Sequence, residues 1–320
     1  MPATPVTVFR KNPADPKGRY QEFTVDIQPT QTVLDALHTI LYEQDPTLAF
    51  RRSCRSAICG SCAMRINGRS RLACNTQALD LFRRDGHLLV EPLKNLAVVK
   101  DLAVDMRGFW RSIRAVRPSL VERQGEVPQT HYAIPGKRFN PLKIVSDCIM
   151  CGACLSDCTV REVHPGFLGP AALAKAFRFV GDPRDGATRS RLAVYSEPNG
   201  IWDCDTCLMC NEVCPMLVKP LDAILLMREA AIENGFVKGM GPKHALAFYE
   251  TVERTGKLHE TSTAIHSLGA RFFSPGNLAL TARTVLRGKR PRLLAPKPKG
   301  LAEVRKLVAS VHRERYRTVP

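Results

Sequence analysis

The residues of this chain best suited to chemistry are its twelve cysteines, which fall into three groups of four with none left over. Groups of four thiols at short, fixed spacing are typical of metal sites. A disulfide-linked scaffold, by contrast, is usually a short secreted chain. The chain has 320 residues, enough for two domains with apolar cores. The cysteine groups therefore predict protein-bound metal within a folded, multidomain chain.

The first group has the spacing C-x4-C-x2-C-x11-C and consists of Cys54, Cys59, Cys62 and Cys74. Its first three members have the spacing of a plant-type [2Fe–2S] site, which takes its fourth ligand from further along the chain. Gly60 permits the close backbone approach that a tight loop around a cluster requires. Zinc is the alternative metal, but it prefers C-x2-C pairs separated by a longer gap. The spacing therefore favours a [2Fe–2S] cluster.

The second and third groups share the spacing C-x2-C-x2-C-x3-C. In two-cluster ferredoxins the fourth cysteine of each such run binds the cluster of the other run. The spacing thus predicts a central [4Fe–4S] cluster and a distal [4Fe–4S] cluster with crossed ligands, and two zinc knuckles are the alternative. The predicted ligands are Cys148, Cys151, Cys154 and Cys214 for the central cluster, and Cys158, Cys204, Cys207 and Cys210 for the distal one. Each fourth cysteine is expected at the start of a helix, with Pro215 opening the one after Cys214.

Apolar periodicity predicts the elements that position these cysteines. Strands are expected over 6–10, 20–27 and 87–93, with a tight hairpin of 63–66 and 71–74 joined at Asn67-Gly68. Thr32 and Asp35 have the spacing of a capping box and predict a helix that follows the second strand. After about residue 105, helical patterns dominate, and helices are expected within 170–181 and over 220–234, 243–255 and 301–316. The predicted fold class is α+β.

Several stretches resemble the iron–sulfur subunits of succinate dehydrogenases and fumarate reductases. Residues 51–76 (RRSCRSAICGSCAMRINGRSRLACNT) are similar to their [2Fe–2S] signature, and 92–110, 169–185 and 200–215 continue the resemblance. The resemblance implies a β-grasp, plant-type ferredoxin-like domain followed by an all-α, bacterial-ferredoxin-like domain. We expect these domains at 1–105 and 106–240, with a basic, mostly helical extension for partner docking at 241–320. It also implies an FAD-containing flavoprotein partner that oxidises succinate or reduces fumarate.

Two features depart from the common members of this family. In those members the position of Cys207 is not cysteine and the third cluster is [3Fe–4S], so we expect [4Fe–4S] here. The segment Thr-Val-Arg-Glu-Val-His-Pro after Cys158 lacks the tryptophan of the usual quinone pocket. Both departures, together with 243–260 and 299–306, resemble E-type complexes, in which a cysteine-rich, heterodisulfide-reductase-like subunit replaces the membrane anchor. The expected second partner is therefore a quinone-reactive or cysteine-rich membrane-associated subunit.

No glycine-rich nucleotide loop or acid–base pair is recognisable, so no catalytic residue is predicted and the dicarboxylate chemistry is expected on the flavoprotein. Arg52 and Arg55 either raise the potential of the first cluster or meet the flavoprotein. His164 either lies near the third cluster or belongs to a surface loop. Two alternative functions remain within the same class: a subunit of another flavin-linked dehydrogenase, for example one that acts on glycolate, and a thiol-dependent fumarate reductase.

The charge is strongly positive, formally +17, and residues 283–320 hold twelve Lys/Arg and two Glu. This basic segment predicts an acidic partner, anionic lipid headgroups or simply a solvated surface. A zinc-loaded nucleic-acid-binding protein is a remote alternative, but stacking aromatics are few and no nucleic acid is expected. No apolar run spans a membrane and no ordinary secretory signal opens the chain. We expect a peripheral protein at the cytoplasmic face of a membrane, with export as the cargo of a signal-bearing partner left open.

Overall fold

The computed structural model describes residues 4–15, 17–123, 125, 134, 136–288 and 298–316. The chain forms two compact units. One contains Met1–Arg191 and Pro198–Met227, and the other contains Leu192–Glu197 and Arg228–Pro320. All twelve cysteines lie in the first unit. No helix in the described ranges is both long enough and apolar enough to cross a membrane.

The first unit begins with a five-stranded sheet in the order β2-β1-β5-β3-β4. Its strands are β1 (Thr4–Arg10), β2 (Arg19–Val25), β3 (Ala63–Ile66), β4 (Arg69–Leu72) and β5 (Leu89–Glu91). β1 and β5 run parallel, and the other neighbours are antiparallel. The three predicted strands all form, but β2 and β5 are shorter than the apolar patterns indicate.

The predicted hairpin forms between β3 and β4. Asn67 and Gly68 make the turn with φ of 47° and 77°, which is the left-handed geometry that Asn-Gly hairpins favour. The second strand starts and ends two residues earlier than predicted, because Ala73–Asn75 form a 3-10 turn. That turn carries Cys74 away from the ladder and towards the first cysteine loop.

A capping box starts α1 (Val33–Thr39), as predicted. The Thr32 N–H donates to Asp35 Oδ2 at 2.9 Å, and the Asp35 N–H donates to Thr32 Oγ1 at 3.3 Å. The helix continues into a π-helical turn at Ile40–Gln44. A second helix on this sheet, α2 (Ala78–Asp85), was not predicted.

The core of this sheet is built from alternating strand residues and one helix face. Val6 and Val8 of β1 and Val33 and Leu37 of α1 are fully buried. Burial of each such side chain contributes about 1.5–3 kcal/mol to folding. This core fixes the base of the loop that carries the first cysteine group.

A small hairpin of β6 (Val98–Lys100) and β7 (Ala103–Val104) follows, and after it the described residues contain helices and no further strand apart from an isolated bridge between Glu122 and Asp185. These helices are α3 (Arg107–Ala115), α4 (Gly136–Ser146), α5 (Ala153–Ser156), α6 (Thr159–Val163), α7 (Pro170–Val180), α8 (Thr188–Tyr195), α9 (Met209–Glu212) and α10 (Pro220–Glu233). The helix expected within 170–181 forms as α7, and its apolar face is buried, with Leu173 and Ala176 fully so. This change from strands to helices near residue 105 confirms the α+β prediction.

The second unit contains α11 (Met240–Thr255), α12 (Glu260–Leu268), a 3-10 segment at Gly269–Phe273, α13 (Pro275–Leu286) and α14 (Leu301–Tyr316). Buried hydroxyls join α11 to α12: Thr263 Oγ1 donates to Thr251 Oγ1 at 3.3 Å. His244 Nδ1 lies 3.0 Å from Ser267 Oγ on the same interface. The helices predicted at 243–255 and 301–316 both form.

Candidate metal centres

The loop of the first cysteine group wraps its backbone around sulfur. The N–H groups of Ser56, Ile58 and Cys59 lie 3.4, 3.4 and 3.3 Å from Cys54 Sγ. Arg55 and Ala57 both have φ of 56°, a left-handed geometry that is uncommon for residues other than glycine. This backbone aims several amide donors at one sulfur, which stabilises negative charge there.

The other thiols of this group differ sharply in their surroundings. A hydrogen bond from Ser61, followed by those involving Cys54, lowers the pKa of Cys59 to about 6. Burial raises the pKa of Cys62 to about 12, and the neighbouring Cys74 thiol adds to that rise. Cys74 reaches this position from the turn that follows β4. The structure therefore brings the four cysteines of the first group together.

The second group lies against the last cysteine of the third. Cys148, Cys151, Cys154 and Cys214 line one apolar cavity together with Pro215. Burial raises the pKa of Cys151 to about 11 and that of Cys154 well above its ordinary value. Bare thiolates are costly in such surroundings, so a bound metal centre would have to supply the positive charge that keeps these thiols ionised.

The remaining four cysteines form a third cluster of thiols. Burial raises the pKa of Cys158, and the Cys204 and Cys207 thiols add to that rise; the thiols of Cys204, Cys207 and Cys158 likewise add to the effect of burial at Cys210. Burial raises the pKa of Cys210 to about 12. Cys158 and Cys210 are buried, whereas Cys207 is exposed. This third site therefore has a buried side and an open side.

The two fourth cysteines are positioned differently. Cys158 is the N-cap of α6, and its sulfur accepts the Arg161 N–H at 3.4 Å. Cys214 precedes a turn instead, closed by the bond from the Leu217 N–H to the Cys214 carbonyl at 3.2 Å. The next helix starts only at Pro220, so the prediction that Pro215 opens a helix is wrong. The Cys214 sulfur still accepts one amide, that of Val218, at 3.3 Å.

The first loop touches the second cysteine run at Gly60. A Cβ atom placed on Gly60 would lie 2.8 Å from Cys151 Cβ and 3.0 Å from the Ile149 carbonyl oxygen. The φ of Gly60 is 70°, so both space and backbone geometry require glycine. The glycine predicted for close approach within its own loop thus also allows contact between two cysteine groups.

Asp157, between Cys154 and Cys158, joins the second cysteine run to the β3–β4 hairpin. One carboxylate oxygen accepts Arg65 Nη1 at 2.8 Å and the other accepts the Ser70 N–H at 2.9 Å. Only 4% of the Asp157 side chain and 13% of the Arg65 side chain are exposed. Ser70 Oγ donates to Ser156 Oγ at 2.8 Å beside this pair.

Asn95 makes the second connection to the same run. It has a left-handed φ of 60°, and its side-chain amide donates to the carbonyls of Leu155, Ser156 and Cys158 at 2.9, 3.1 and 3.1 Å. Together with Asp157, this contact holds the second run rigidly against the sheet-containing part of the unit.

Donor type and geometry fit iron–sulfur clusters. Each site offers four cysteine sulfurs, and each has at least one backbone amide directed at a sulfur. Amide hydrogen bonds to sulfur and exclusion of water are the features with which proteins tune such clusters.

Comparisons with known proteins agree with this geometry. Residues 5–111 match the model of a 2Fe-2S iron-sulfur cluster binding domain, and 144–218 match that of a 4Fe-4S dicluster domain. The fumarate reductase iron-sulfur subunit of Haemophilus influenzae is 33% identical over 256 residues, covering 76% of this chain and 98% of that protein. The chain belongs to the family of succinate dehydrogenase and fumarate reductase iron–sulfur subunits.

Other members of this family are similar to the same extent. The succinate dehydrogenase iron-sulfur subunit of Coxiella burnetii is 35% identical and covers 71% of this chain and 97% of that protein. A chain of the Mycobacterium smegmatis Sdh1 complex in the apo form is 27% identical with a TM-score of 0.66, covering 74% of this chain and 98% of that one. This iron–sulfur subunit is therefore an electron-transfer component of an oxidoreductase complex, with iron–sulfur clusters as its cofactors, and the zinc-loaded alternative is wrong.

The charged residues singled out beside the cysteines have other contacts in the iron–sulfur subunit. The Arg52 guanidinium lies over the ring of Phe50, 5.1 Å from its centroid, and Nη2 donates to the Tyr42 hydroxyl at 3.1 Å. Arg55 is exposed in the first loop. His164 Nε2 lies 2.6 Å from Asn199 Oδ1, with Asp203 at 3.8 Å.

Sequence reasoning missed Asp157 and Asn95. Asp157 lies within the C-x3-C gap of the second run, where an acid beside thiolates is unexpected. Its partner Arg65 is 92 residues away in the sequence, and no pattern links the two. Nothing in the spacing of Asn95 pointed to its role.

Proposed function

We propose that this iron–sulfur subunit carries electrons singly between the FAD of a flavoprotein subunit and a quinone-reactive partner at the membrane. The flavoprotein would oxidise succinate or reduce fumarate, since the relatives named above are subunits of enzymes with those names. The observation that carries the proposal is the set of three four-thiol sites in one compact unit, two of which touch at Gly60.

We assign the ligands as the spacing predicts. Cys54, Cys59, Cys62 and Cys74 hold the [2Fe–2S] cluster; Cys148, Cys151, Cys154 and Cys214 hold the central [4Fe–4S] cluster; Cys158, Cys204, Cys207 and Cys210 hold the distal one. The cavity shared by Cys214 and the second run supports the crossed arrangement. Bound clusters supply one-electron redox chemistry, and the protein residues position them and tune their potentials.

The residues of the chain divide this work. Amides of the first loop stabilise charge at Cys54, and burial around Cys154 excludes water from the central site. The Cys207 side of the third site is open, which supports electron exchange with a partner there. Arg52 and the exposed first loop are suited to meet the flavoprotein.

The finer organisation is also part of this proposal. The sheet with its parallel β1–β5 pair supports a β-grasp domain in 1–105, followed by an all-α ferredoxin domain in 106–240 and a docking extension in 241–320. Cys207 supports a distal [4Fe–4S] cluster and an E-type complex with a cysteine-rich partner. The expected location is the cytoplasmic face of the membrane.

Reconstitution with the flavoprotein tests the function. The anaerobic, oxidised complex of both subunits is treated with succinate, glycolate or a dithiol, and cluster reduction is followed by visible bleaching and EPR. We expect succinate to reduce the clusters only when the flavoprotein is present. Reduction by glycolate or by thiols, with succinate inert, would assign the subunit to one of the alternative enzymes.

A further inference from the structure

In helix α13 the half-buried positions are polar and the large apolar side chains are exposed, the opposite of an ordinary surface helix. None of its residues is buried, and the positions that are half-buried are Asn277, Thr281 and Thr284, which share one face at i, i+4 and i+7. Thr281 Oγ1 and Thr284 Oγ1 donate back to the carbonyls of Asn277 and Leu280, both at 2.8 Å. The helix thus packs its polar face towards the described residues of its own unit.

Four apolar side chains of α13 form a stripe centred about 120° around the helix from this polar face. Leu278, Ala282, Val285 and Leu286 have the spacing i, i+4, i+7 and i+8 of a continuous helical stripe. Leu278, Val285 and Leu286 are 48%, 40% and 87% exposed, and Phe273 just before the helix is 61% exposed. A stripe of this kind in water is typical of a surface that binds something apolar.

Charge around the stripe has one sign. Residues 269–288 contain Arg271, Arg283 and Arg287 and no Asp or Glu. On a helical wheel Arg283 lies about 60° beyond Leu286, at the edge of the stripe, and Arg287 about 100° beyond Leu286 on the same side. The sequence from 283 to 320 adds further positive charge, twelve Lys/Arg against two Glu. A partner that matches this helix must therefore offer an apolar region to the stripe and, next to it, a surface that carries negative charge only.

We propose that α13 binds the surface of an anionic lipid bilayer, with the stripe of Leu278, Ala282, Val285 and Leu286 inserted below the headgroups. The twelve residues of α13 extend about 18 Å, too short to span a bilayer, so the helix lies in the plane of the interface. Arg283 and Arg287 then contact lipid phosphates. The assembled complex would thus gain a direct lipid contact from its iron–sulfur subunit, besides any membrane-bound partner.

Vesicle flotation tests this proposal without electron transfer. The full-length, cluster-loaded chain is mixed anaerobically with vesicles of phosphatidylcholine alone or of phosphatidylcholine with phosphatidylglycerol, at low and high ionic strength. We expect flotation with the anionic vesicles at low ionic strength, weakened by salt, and none with the neutral vesicles. Equal flotation with both vesicle types, or none with either, overturns the proposal.

The chain offers a matched pair of variants. Leu286→Asp places a charge in the stripe. Leu280→Asp makes the same change at a 62% exposed residue about 200° around the helix from Leu278. We expect Leu286→Asp to weaken vesicle binding about tenfold, and Leu280→Asp to weaken it less than about twofold. Leu286→Ser gives a milder version of the first change, and circular dichroism and cluster absorbance verify folding. If Leu286→Asp and Leu280→Asp bind vesicles equally well, the assignment of the stripe is contradicted. It is also contradicted if the protein does not bind vesicles and Leu286→Asp instead loses a co-purified protein subunit.

Discussion

At the third thiol site, the Cys207 side chain is exposed while those of Cys158 and Cys210 are buried. The Cys207 N–H donates to Asp205 Oδ1 at 3.2 Å, and Thr159 Oγ1 donates to Asp205 Oδ2 at 2.7 Å. Asp205 thereby links the Cys207 loop to the start of α6. A fourth thiol held in this way supports a cluster with four irons.

Replacement of Cys207 tests that composition. Cys207→Ser should produce the EPR signal of an oxidised three-iron cluster at the distal site. The reason is that one iron of a four-iron cluster would lose its cysteine ligand and dissociate. Iron content and EPR of anaerobically prepared protein measure the change. The neighbouring Leu208→Asn is the control, since Leu208 has φ of 67°, which asparagine tolerates. A three-iron signal at full occupancy in fresh wild-type protein would refute the assignment.

Gly60 and Gly86 separate two effects of a glycine. Both have left-handed φ, but a Cβ on Gly60 meets Cys151 at 2.8 Å, whereas one on Gly86 has nothing within 4 Å. Gly60→Ala should therefore lower the free energy of unfolding by about 1–3 kcal/mol more than Gly86→Ala. Anaerobic denaturant unfolding measures both. If both variants lose the same free energy of unfolding, Gly60 of the first loop is not in close contact with Cys151 in solution.

At the scale of elements, two ion pairs join the β3–β4 hairpin to the cysteine-bearing segments. The Arg65–Asp157 pair at 2.8 Å is buried, and the Arg69–Glu212 pair at 2.6 Å has side chains that are 51% and 49% exposed. Breaking a buried ion pair lowers the free energy of unfolding substantially, because the remaining charge is left in a poorly solvated site. Breaking an exposed pair costs little, because water screens the two charges. The first pair therefore secures this junction and the second contributes little.

These two pairs make a direct comparison. Asp157→Ala should destabilise the protein by about 2–4 kcal/mol, because the Ser70 N–H loses its acceptor and the Arg65 guanidinium keeps only Glu91, 3.8 Å away, as an ion-pair partner. Glu212→Ala should cost less than about 1 kcal/mol. Hydrogen exchange of the amides in β3 and β4 should rise with Asp157→Ala alone. Similar exchange in both variants would contradict a role for Asp157 at the junction.

Element prediction succeeded where one strong signal dominated. The capping box at Thr32 and the Asn67-Gly68 turn marked the start of a helix and the turn of a hairpin, and the structure has both there. The helix expected after Pro215 does not form because the chain turns there. The Val218 N–H donates to the Cys214 sulfur, and the Leu217 N–H donates to the Cys214 carbonyl. Helix α13 was not predicted, although Leu278, Ala282, Val285 and Leu286 have helical spacing.

At the scale of the whole molecule, the sequence predicts the composition of the thiol sites better than the contacts between them. The spacing predicts the type of ligand and the crossed assignment of Cys158 and Cys214, and that assignment stays a prediction. The left-handed residues Arg55 and Ala57 could not be predicted, because nothing in their side chains favours that geometry. Asn95 and Asp157 act across long sequence separations, which a single sequence does not reveal.

The overall charge is consistent with the division of the molecule into a cluster-bearing unit and a basic second unit. Of the formal +17, a net +10 lies in residues 283–320. Three oxidised clusters with four thiolates each would bring the loaded protein to about +11. Most of the positive charge thus belongs to the sequence of the second unit, which also contains the helix proposed to meet the membrane.

Iron and acid-labile sulfide content of the anaerobically purified chain tests the central claim most directly. Three clusters of the proposed kinds predict about ten irons and about ten sulfides per chain, in a brown protein. Colourless protein that contains zinc and no acid-labile sulfide would contradict the account.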